Sequence, residues 1–213
     1  MTKEKTRPDN NDHCFTGVGR EFWLREARGL NRGKITQGPD GTRIDYVTDS
    51  DGSALQNGGM FQPQETRMGP GRYFRFFGTI NHNRYGAESC MAGGWWIEAN
   101  TYFQIKSWAM SHDMSLAKAA QQLIVIPGGW HDCGYVGAAH LNRKLKAYVG
   151  KGKPATNATS PHNPLRNRDT DPVVAAPSHL EIKQYFVPGD RDLLSRFFKT
   201  VAVQQVTAKG RYL

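Results

Sequence analysis

Apolar and polar residues alternate along several short segments of the chain, which is the pattern of half-buried β-strands. In residues 72–79 (RYFRFFGT), Arg75 falls between aromatic residues of the same strand face. Strands are also predicted for residues 43–48, 95–97, 123–126, 136–142, 144–149, 180–187 and 201–206. Helices are predicted for residues 21–30, for a segment capped by Asn100, for residues 116–122 and for a segment capped by Asp190. Short strands mixed with short helices indicate an α+β fold rather than a doubly wound one.

The connections between these elements set the expected organisation of the chain. Residues 80–94 and 151–177 are predicted as loops because they are rich in glycine, asparagine or proline. The strands at 136–142 and 144–149 are expected to pair, since only the Asn142-Arg143 turn separates them. We expect residues 1–60 to form a partly irregular N-terminal extension or subdomain, and residues 61–213 to form the main domain.

Composition and charge narrow the classes of function. Hydrophobic residues make up 38% of the chain and aromatic residues 11%, which supports a packed core and excludes a disordered protein. The formal charge is +9, but residues 1–142 contribute only +1 and residues 143–213 contribute +8. Such a basic segment attracts nucleic acid, a nucleotide or an acidic protein, or it solubilises the molecule.

Two classes of site and partner are disfavoured by the sequence. The three cysteines, Cys14, Cys90 and Cys133, have no spacing typical of zinc ligands, and no HExxH motif is present, so no metal is expected. No apolar run approaches the ~20 residues of a membrane span. The first residues also lack the apolar core of a signal peptide. We therefore expect a soluble protein with no membrane partner.

Three features suggest chemistry on a nucleotide. Arg75 offers a planar fork that can bind a diphosphate through two hydrogen bonds. A Gly-rich stretch leads to Trp95 and Trp96, whose rings can stack on a nicotinamide or adenine ring. Glu181 and Gln184 lie on the strand at 180–187, where a carboxylate can stabilise positive charge on a ribose carbon as a glycosidic bond breaks. Each feature also has a purely structural explanation: Arg75 as an ordinary residue of a strand ladder, the tryptophans as core, and Glu181 as an exposed side chain.

The order of these motifs resembles the ADP-ribosyltransferase-like fold. The segments RYFRF, RYG, GGWW, LIVIP, AYVGKGKP and EIKQYFVPG follow one another as in bacterial toxin domains that consume NAD, including the NAD-glycohydrolase type. The similarity covers roughly residues 72–190. It implies a split, mostly antiparallel sheet with short helices, formed by residues 61–213.

The resemblance also implies roles for individual residues. Arg75 resembles the strand arginine that holds the diphosphate or ribose of NAD, and Tyr85 or Trp95 resembles the aromatic residue that stacks on nicotinamide. Gln184, with Glu181 as competitor, resembles the late-strand catalytic position. Because Glu181 and Gln184 are three residues apart on a strand, only one of them can face a cleft.

The implied function is that of an NAD-cleaving effector toxin, either an ADP-ribosyltransferase or an NAD glycohydrolase, with NAD as substrate and no metal. The acceptor would be water, a protein or RNA, and a cognate immunity protein is an expected partner. The protein would act in the cytoplasm, or be secreted and act in the cytoplasm of a target cell.

Two alternatives come from other classes of protein. One is a basic nucleic-acid-binding module or metal-independent ribonuclease, with His140, His162 or His179 as acid and base. The other is a non-catalytic structural protein, for which the Gly/Asp/Gln-rich residues 38–71 would form a docking surface.

Overall fold

The computed structural model describes residues 10–29, 58–155 and 174–206, together with the backbone of residues 32–38 and 41–46. In these ranges the helices are α1 (Gly17–Ala27), α2 (Thr79–Met91), α3 (Ala99–Ser111), α4 (Leu116–Leu123) and α5 (Arg191–Phe197), preceded by a 3₁₀ turn at Asp12–Phe15. The strands are β1 (Arg32–Gly38), β2 (Gly41–Tyr46), β3 (Gln64–Met68), β4 (Gly71–Phe77), β5 (Trp95–Glu98), β6 (Tyr135–Leu141), β7 (Leu145–Lys151), β8 (Lys183–Phe186) and β9 (Phe198–Gln205). No helix within these ranges is long and apolar enough to cross a membrane.

Seven strands form one antiparallel sheet in the order β3-β7-β8-β5-β4-β6-β9. Strands β1 and β2 form a separate antiparallel hairpin. The prediction of an α+β fold with a mostly antiparallel sheet is therefore confirmed.

The sheet consists of two halves that are joined weakly in the middle. Strand β4 pairs with β6 over seven residue pairs, from Gly71↔Leu141 to Phe77↔Tyr135. By contrast, β4 pairs with β5 only at Tyr73↔Glu98 and Phe74↔Ile97. Beyond these two pairs β5 continues on β8, so the two central strands separate from each other.

Helices cover both faces of the sheet and enclose two hydrophobic cores. On one face, the ends of α2 and α5 pack against the strands through Met91, Leu194 and Phe197. On the other face, α3 and α4 pack through Ile105 and Leu123. Burial of an aliphatic or aromatic side chain stabilises the fold by about 1.5–3 kcal/mol, so these two layers hold the halves of the sheet in place.

The N-terminal residues 10–29 pack on β7 and β8 through a third core that contains Phe15, Ala27 and Tyr148. The side chain of Asn11 is buried, donates hydrogen bonds to the carbonyls of Lys146 (2.8 Å) and Pro188 (3.0 Å), and accepts one from the Lys146 amide (3.0 Å). This segment is therefore attached to the main sheet by polar and apolar contacts. The boundary at residue 60 stays a prediction.

Three local predictions of elements or pairing were wrong, and so was the predicted cap of one helix. Asn100 was expected to cap it, but α3 begins at Ala99, with Glu98 at the N-cap position. Residues 80–94 were expected to be a loop, but most of them belong to α2, whose first amide at Thr79 donates to the distant Asp132 carboxylate (2.8 Å). Residues 123–126 were expected to be a strand, but they form the end of α4 and a turn in which Val125 has φ +55°. Their apolar character reflects burial and not strand formation.

The third wrong prediction is the pairing of neighbouring strands. Both strands around Asn142 exist, but β6 pairs with β4 and β9, whereas β7 pairs with β3 and β8. The connection between them therefore passes from one half of the sheet to the other. Residues 47–48 of a predicted strand and residues 156–173 of a predicted loop lie outside the described residues.

Candidate functional site

A cavity of about 170 Å³ lies where β4 and β5 separate. Its walls are mainly aromatic and aliphatic side chains, namely Phe74, Phe76, Trp95, Trp96, Ile97, Ile124, Val125, Ile126 and Trp130. Three other side chains that line it are polar: Arg75, His131 and Gln184. An apolar cavity with a few convergent polar groups is the usual form of a small-molecule site.

Arg75 crosses the gap between the two central strands. Its Nε donates to the carbonyl of Cys90 (2.9 Å) and its Nη1 donates to the carbonyl of Trp95 (2.8 Å). Gly93 lies so close that a Cβ at that position would be 2.1 Å from Nη2. Glycine is therefore required there by the position of the guanidinium.

The charge of Arg75 has no acidic partner among the described residues. Burial lowers its pKa to about 10, and the nearby cation of Arg191 acts in the same direction. The guanidinium is still protonated at neutral pH. A partly buried cation bonded only to neutral carbonyls is less well solvated than one in water, so the cavity favours a negatively charged group.

His131 lies in the loop between α4 and β6 and is a neutral donor. Its Nδ1 accepts a hydrogen bond from the Cys133 amide (3.2 Å). Burial, together with the charge of Arg75, lowers the pKa of His131 to about 4. The ring is therefore neutral at pH 7, and because Nδ1 is an acceptor, we assign the proton to Nε2.

Gln184 on β8 is anchored to the end of α4. Its Nε2 donates to the carbonyl of Ile124 (3.0 Å), and the side chain is buried. Gly152 packs against this amide, since a Cβ there would lie 2.8 Å from Nε2. This bond uses one of the two N–H groups of Nε2, so Gln184 can offer a ligand the acceptor Oε1 and the second N–H.

Most polar groups of the cavity wall are hydrogen-bond donors. The indole N–H groups of Trp96 and Trp130 are buried and have no acceptor within the described part of the chain. They add to the guanidinium of Arg75 and the Nε2–H of His131. A wall with this composition suits a ligand that has a planar ring and several acceptor or anionic oxygen atoms.

The structure brings together three of the five residues singled out from the sequence. Arg75, Trp95 and Gln184 line the cavity, whereas Tyr85 and Glu181 do not. Tyr85 is half exposed on α2, with the guanidinium of Arg84 5.2 Å from its ring centre. Glu181 is exposed and pairs with Lys151, which holds the pKa of its carboxyl below the usual range.

The two described histidines of the ribonuclease alternative lie outside the cavity at the split. His140 is exposed on β6, and His179 lies near Trp108, with 6.1 Å between ring centres. His162 lies outside the described residues.

Trp130 and His131 were missed in the sequence. The signal that could have found them is the sequence PGGWHD directly after an apolar run, because aromatic and histidine side chains in loops that follow core elements often serve function. The missing information was spatial, since the loop reaches Arg75 only through the fold.

In the described ranges, no group of three or more His, Cys, Asp or Glu side chains is arranged to hold a metal ion.

The fold and the site together define an α+β protein with a small, donor-rich aromatic cavity at a split in its sheet. Comparisons with known proteins add no relative: no family model, no curated protein and no solved structure matches the chain. Functional inference therefore depends on the cavity itself and on the motifs of the sequence.

Proposed function

We propose that the protein cleaves NAD at the bond between nicotinamide and ribose, as an ADP-ribosyltransferase or an NAD glycohydrolase. The observation that carries this proposal is the guanidinium of Arg75, which lies in an aromatic cavity and has no acidic partner among the described residues. Arg75 would bind the diphosphate, which supplies the missing negative charge. The resemblance in motif order supports the same substrate.

The size of the cavity suggests which part of NAD enters it. Pockets for whole drug-sized ligands have volumes of roughly 300–1,000 Å³, and this cavity has about 170 Å³. It can hold a single ring with part of its sugar. We therefore propose that the nicotinamide end enters between Trp95 and Trp130, and that the adenosine half remains outside.

The proposed reaction is a dissociative displacement at ribose C1′. The bond from C1′ to the nicotinamide nitrogen breaks, its electron pair leaves with neutral nicotinamide, and an oxocarbenium ion remains. Water or an acceptor nucleophile then attacks C1′ and releases a proton to the solvent. The role we assign to Gln184 is to accept, through Oε1, a hydrogen bond from a hydroxyl of the sugar or from the nucleophile, since the bond from Nε2 to Ile124 fixes the orientation of the amide.

The direct experiment measures nicotinamide release by chromatography after incubation of the pure protein with NAD, with and without cell lysate and RNA as acceptors. We expect release by the wild type and a loss of about 100-fold or more in Arg75→Gln, since two hydrogen bonds from the guanidinium to the diphosphate would contribute about 1.5–3 kcal/mol each. Arg75→Lys keeps the charge but not the fork, and it should retain part of the activity.

Lys118→Gln is the matched control, because Lys118 is an exposed cation on α4 that does not line the cavity. Its rate should equal that of the wild type. Failure to release nicotinamide under all conditions would refute the proposal, as would full activity of folded Arg75→Gln.

The resemblance extends the proposal to an effector toxin with a cognate immunity protein. Induced expression in bacterial cells should then deplete NAD and arrest growth, and Arg75→Gln should do neither. Growth arrest without NAD depletion would show that the toxicity has another cause than NAD cleavage.

A further inference from the structure

Three strands present basic side chains, two cations and a histidine, at one end of the sheet. The register pairs Arg72 of β4 with His140 of β6, and His140 with Lys199 of β9. Residues directly opposite each other on antiparallel strands point to the same face. All three side chains are exposed, so they form one solvent-facing row across the strands.

The turn after β6 and the end of α5 add further cations to this row. The amide of Asn142 donates to the carbonyl of Phe197 (3.1 Å), and its side chain donates to the carbonyl of Arg196 (3.2 Å). The guanidinium of Arg143 lies 5.1 Å from the ring centre of Phe197, and that of Arg196 lies 5.6 Å from it. Both arginines are thus positioned by one buried ring.

We define the basic end of the sheet as Arg72, His140, Arg143, Lys144, Arg196 and Lys199. We propose that this surface binds a nucleic-acid strand through its phosphates. The proposal is independent of NAD cleavage, since none of these residues lines the cavity at the split.

The chemistry of the surface favours phosphates over carboxylates. Three of its five cations are arginines, whose planar fork matches the oxygen atoms of a phosphate. Neighbouring strands lie about 4.8 Å apart, so the row from Arg72 to Lys199 extends roughly 10 Å and can follow successive phosphates. The set contains no exposed aromatic ring for base stacking, and we therefore expect binding that is independent of sequence.

Acidic side chains of the described chain lie beside this surface rather than within it. Asp192 precedes Arg196 by one turn of α5, and Asp190 caps the opposite end of that helix. The sequence placed the charge excess in residues 143–213, and the structure adds Arg72 and His140 from outside that segment. The surface is therefore produced by the fold and not by a run of basic residues.

The test measures binding of a fluorescently labelled 20-nucleotide poly-U RNA by anisotropy between 50 and 200 mM KCl. Neutralisation of four to five phosphates on a single strand gives a slope of log K against log salt of about −3, which is a loss of about 60-fold over this range. Arg72→Gln/Lys199→Gln removes two contacts and should reduce the loss to about 10-fold.

The control variant Lys118→Gln/Lys183→Gln has the same net charge as Arg72→Gln/Lys199→Gln. It changes exposed lysines on α4 and β8, away from the basic end of the sheet. It should keep the wild-type slope. Lys144→Gln, in the exposed turn, is a second variant that should lower the magnitude of the slope by about 0.7 and serves if the first double variant does not fold.

Four results of the salt titrations would overturn the proposal: no RNA binding by the wild type, an unchanged slope in folded Arg72→Gln/Lys199→Gln, an unchanged slope in folded Lys144→Gln, or a slope in the control variant that is reduced as much as in Arg72→Gln/Lys199→Gln. Poly-glutamate of matched charge is the last comparison. If it displaces the RNA as well as an unlabelled RNA of equal length does, the surface does not distinguish phosphates from carboxylates and the assignment to nucleic acid is wrong.

Discussion

The contact between Gly93 and Arg75 gives the sharpest test of the site, because one methyl group should displace the guanidinium. The three atoms nearest to a Cβ placed on Gly93 all belong to Arg75, at 2.1, 2.3 and 2.6 Å. Since real Cβ contacts are not that short, Gly93→Ala must move the side chain. Arg75 then loses its hydrogen bonds to the carbonyls of Cys90 and Trp95.

The expected cost follows from those two bonds. A hydrogen bond to a charged group contributes about 1.5–3 kcal/mol, so we expect Gly93→Ala to reduce the free energy of unfolding by about 3 kcal/mol. In an Arg75→Ala background the guanidinium is gone and the methyl group has room. There, Gly93→Ala should be neutral or stabilising by about 0.4–1 kcal/mol, because alanine restricts the unfolded chain.

Urea denaturation of the wild type, both single variants and the double variant at pH 7 forms a double-mutant cycle. The expected coupling energy is about 3 kcal/mol, and Gly93→Ala should also abolish nicotinamide release. If Gly93→Ala costs the same in both backgrounds, its clash is with the backbone and our account of Arg75 is wrong.

Three further predictions concern single side chains. Asn11→Ala should lower the free energy of unfolding in urea by about 2–4 kcal/mol, and Asn11→Asp by at least as much, because a carboxylate would face the carbonyls of Lys146 and Pro188. Equal stability of wild type and Asn11→Asp would contradict this. Because the pKa of His131 falls from 6.5 to about 4 on folding, the unfolded chain binds the proton first, so stability should fall by about 3 kcal/mol as pH drops from 6.5 to 4. In urea titrations, the stability of His131→Gln should lack this loss between pH 6.5 and 4. Identical dependence of stability on pH in the wild type and in His131→Gln would refute the prediction. Glu181→Gln should keep both stability and nicotinamide release, since its carboxylate pairs with Lys151 at the surface; loss of release would place Glu181 in the reaction.

Local patterns predicted most strands, because apolar side chains at alternate positions indicate which face of a strand is buried. The strand around Arg75 was predicted from the alternation of its residues. The helix after Asp190 was predicted from its cap, since the Asp190 carboxylate accepts a hydrogen bond from the Leu193 amide (2.7 Å). Strand β3 (QETRM) was not predicted, since its residues are mostly exposed at the edge of the sheet and show no apolar alternation. Helix α2 was missed because its first amide is capped by Asp132, which is 53 residues away in the sequence.

The candidate site was only partly accessible from the sequence for a related reason. Arg75, Trp95 and Gln184 lie on strands, where alternation indicates which face a residue occupies. Trp130 and His131 lie in a loop whose path is determined by long-range contacts, such as the packing of the Trp130 ring against Gly58. A pattern within a few residues carries no information about such contacts.

The split between β4 and β5 explains why a charged group without a nearby acid can persist in this fold. Where the two strands stop pairing, the carbonyl of Trp95 on β5 has no partner on β4, and the carbonyl of Cys90 belongs to the last turn of α2, where helix carbonyls have no intrahelical partner; Arg75 donates to both of them. A hydroxyl or an indole has one donor hydrogen and would satisfy one carbonyl, whereas the guanidinium has five N–H groups and donates to both through Nε and Nη1. The same side chain therefore closes the split and leaves a positive charge beside the cavity. The hydrogen bonds of Arg75 to carbonyl oxygens do not neutralise its charge. An anionic ligand can therefore be attracted to the guanidinium without displacing any contact that holds the sheet together.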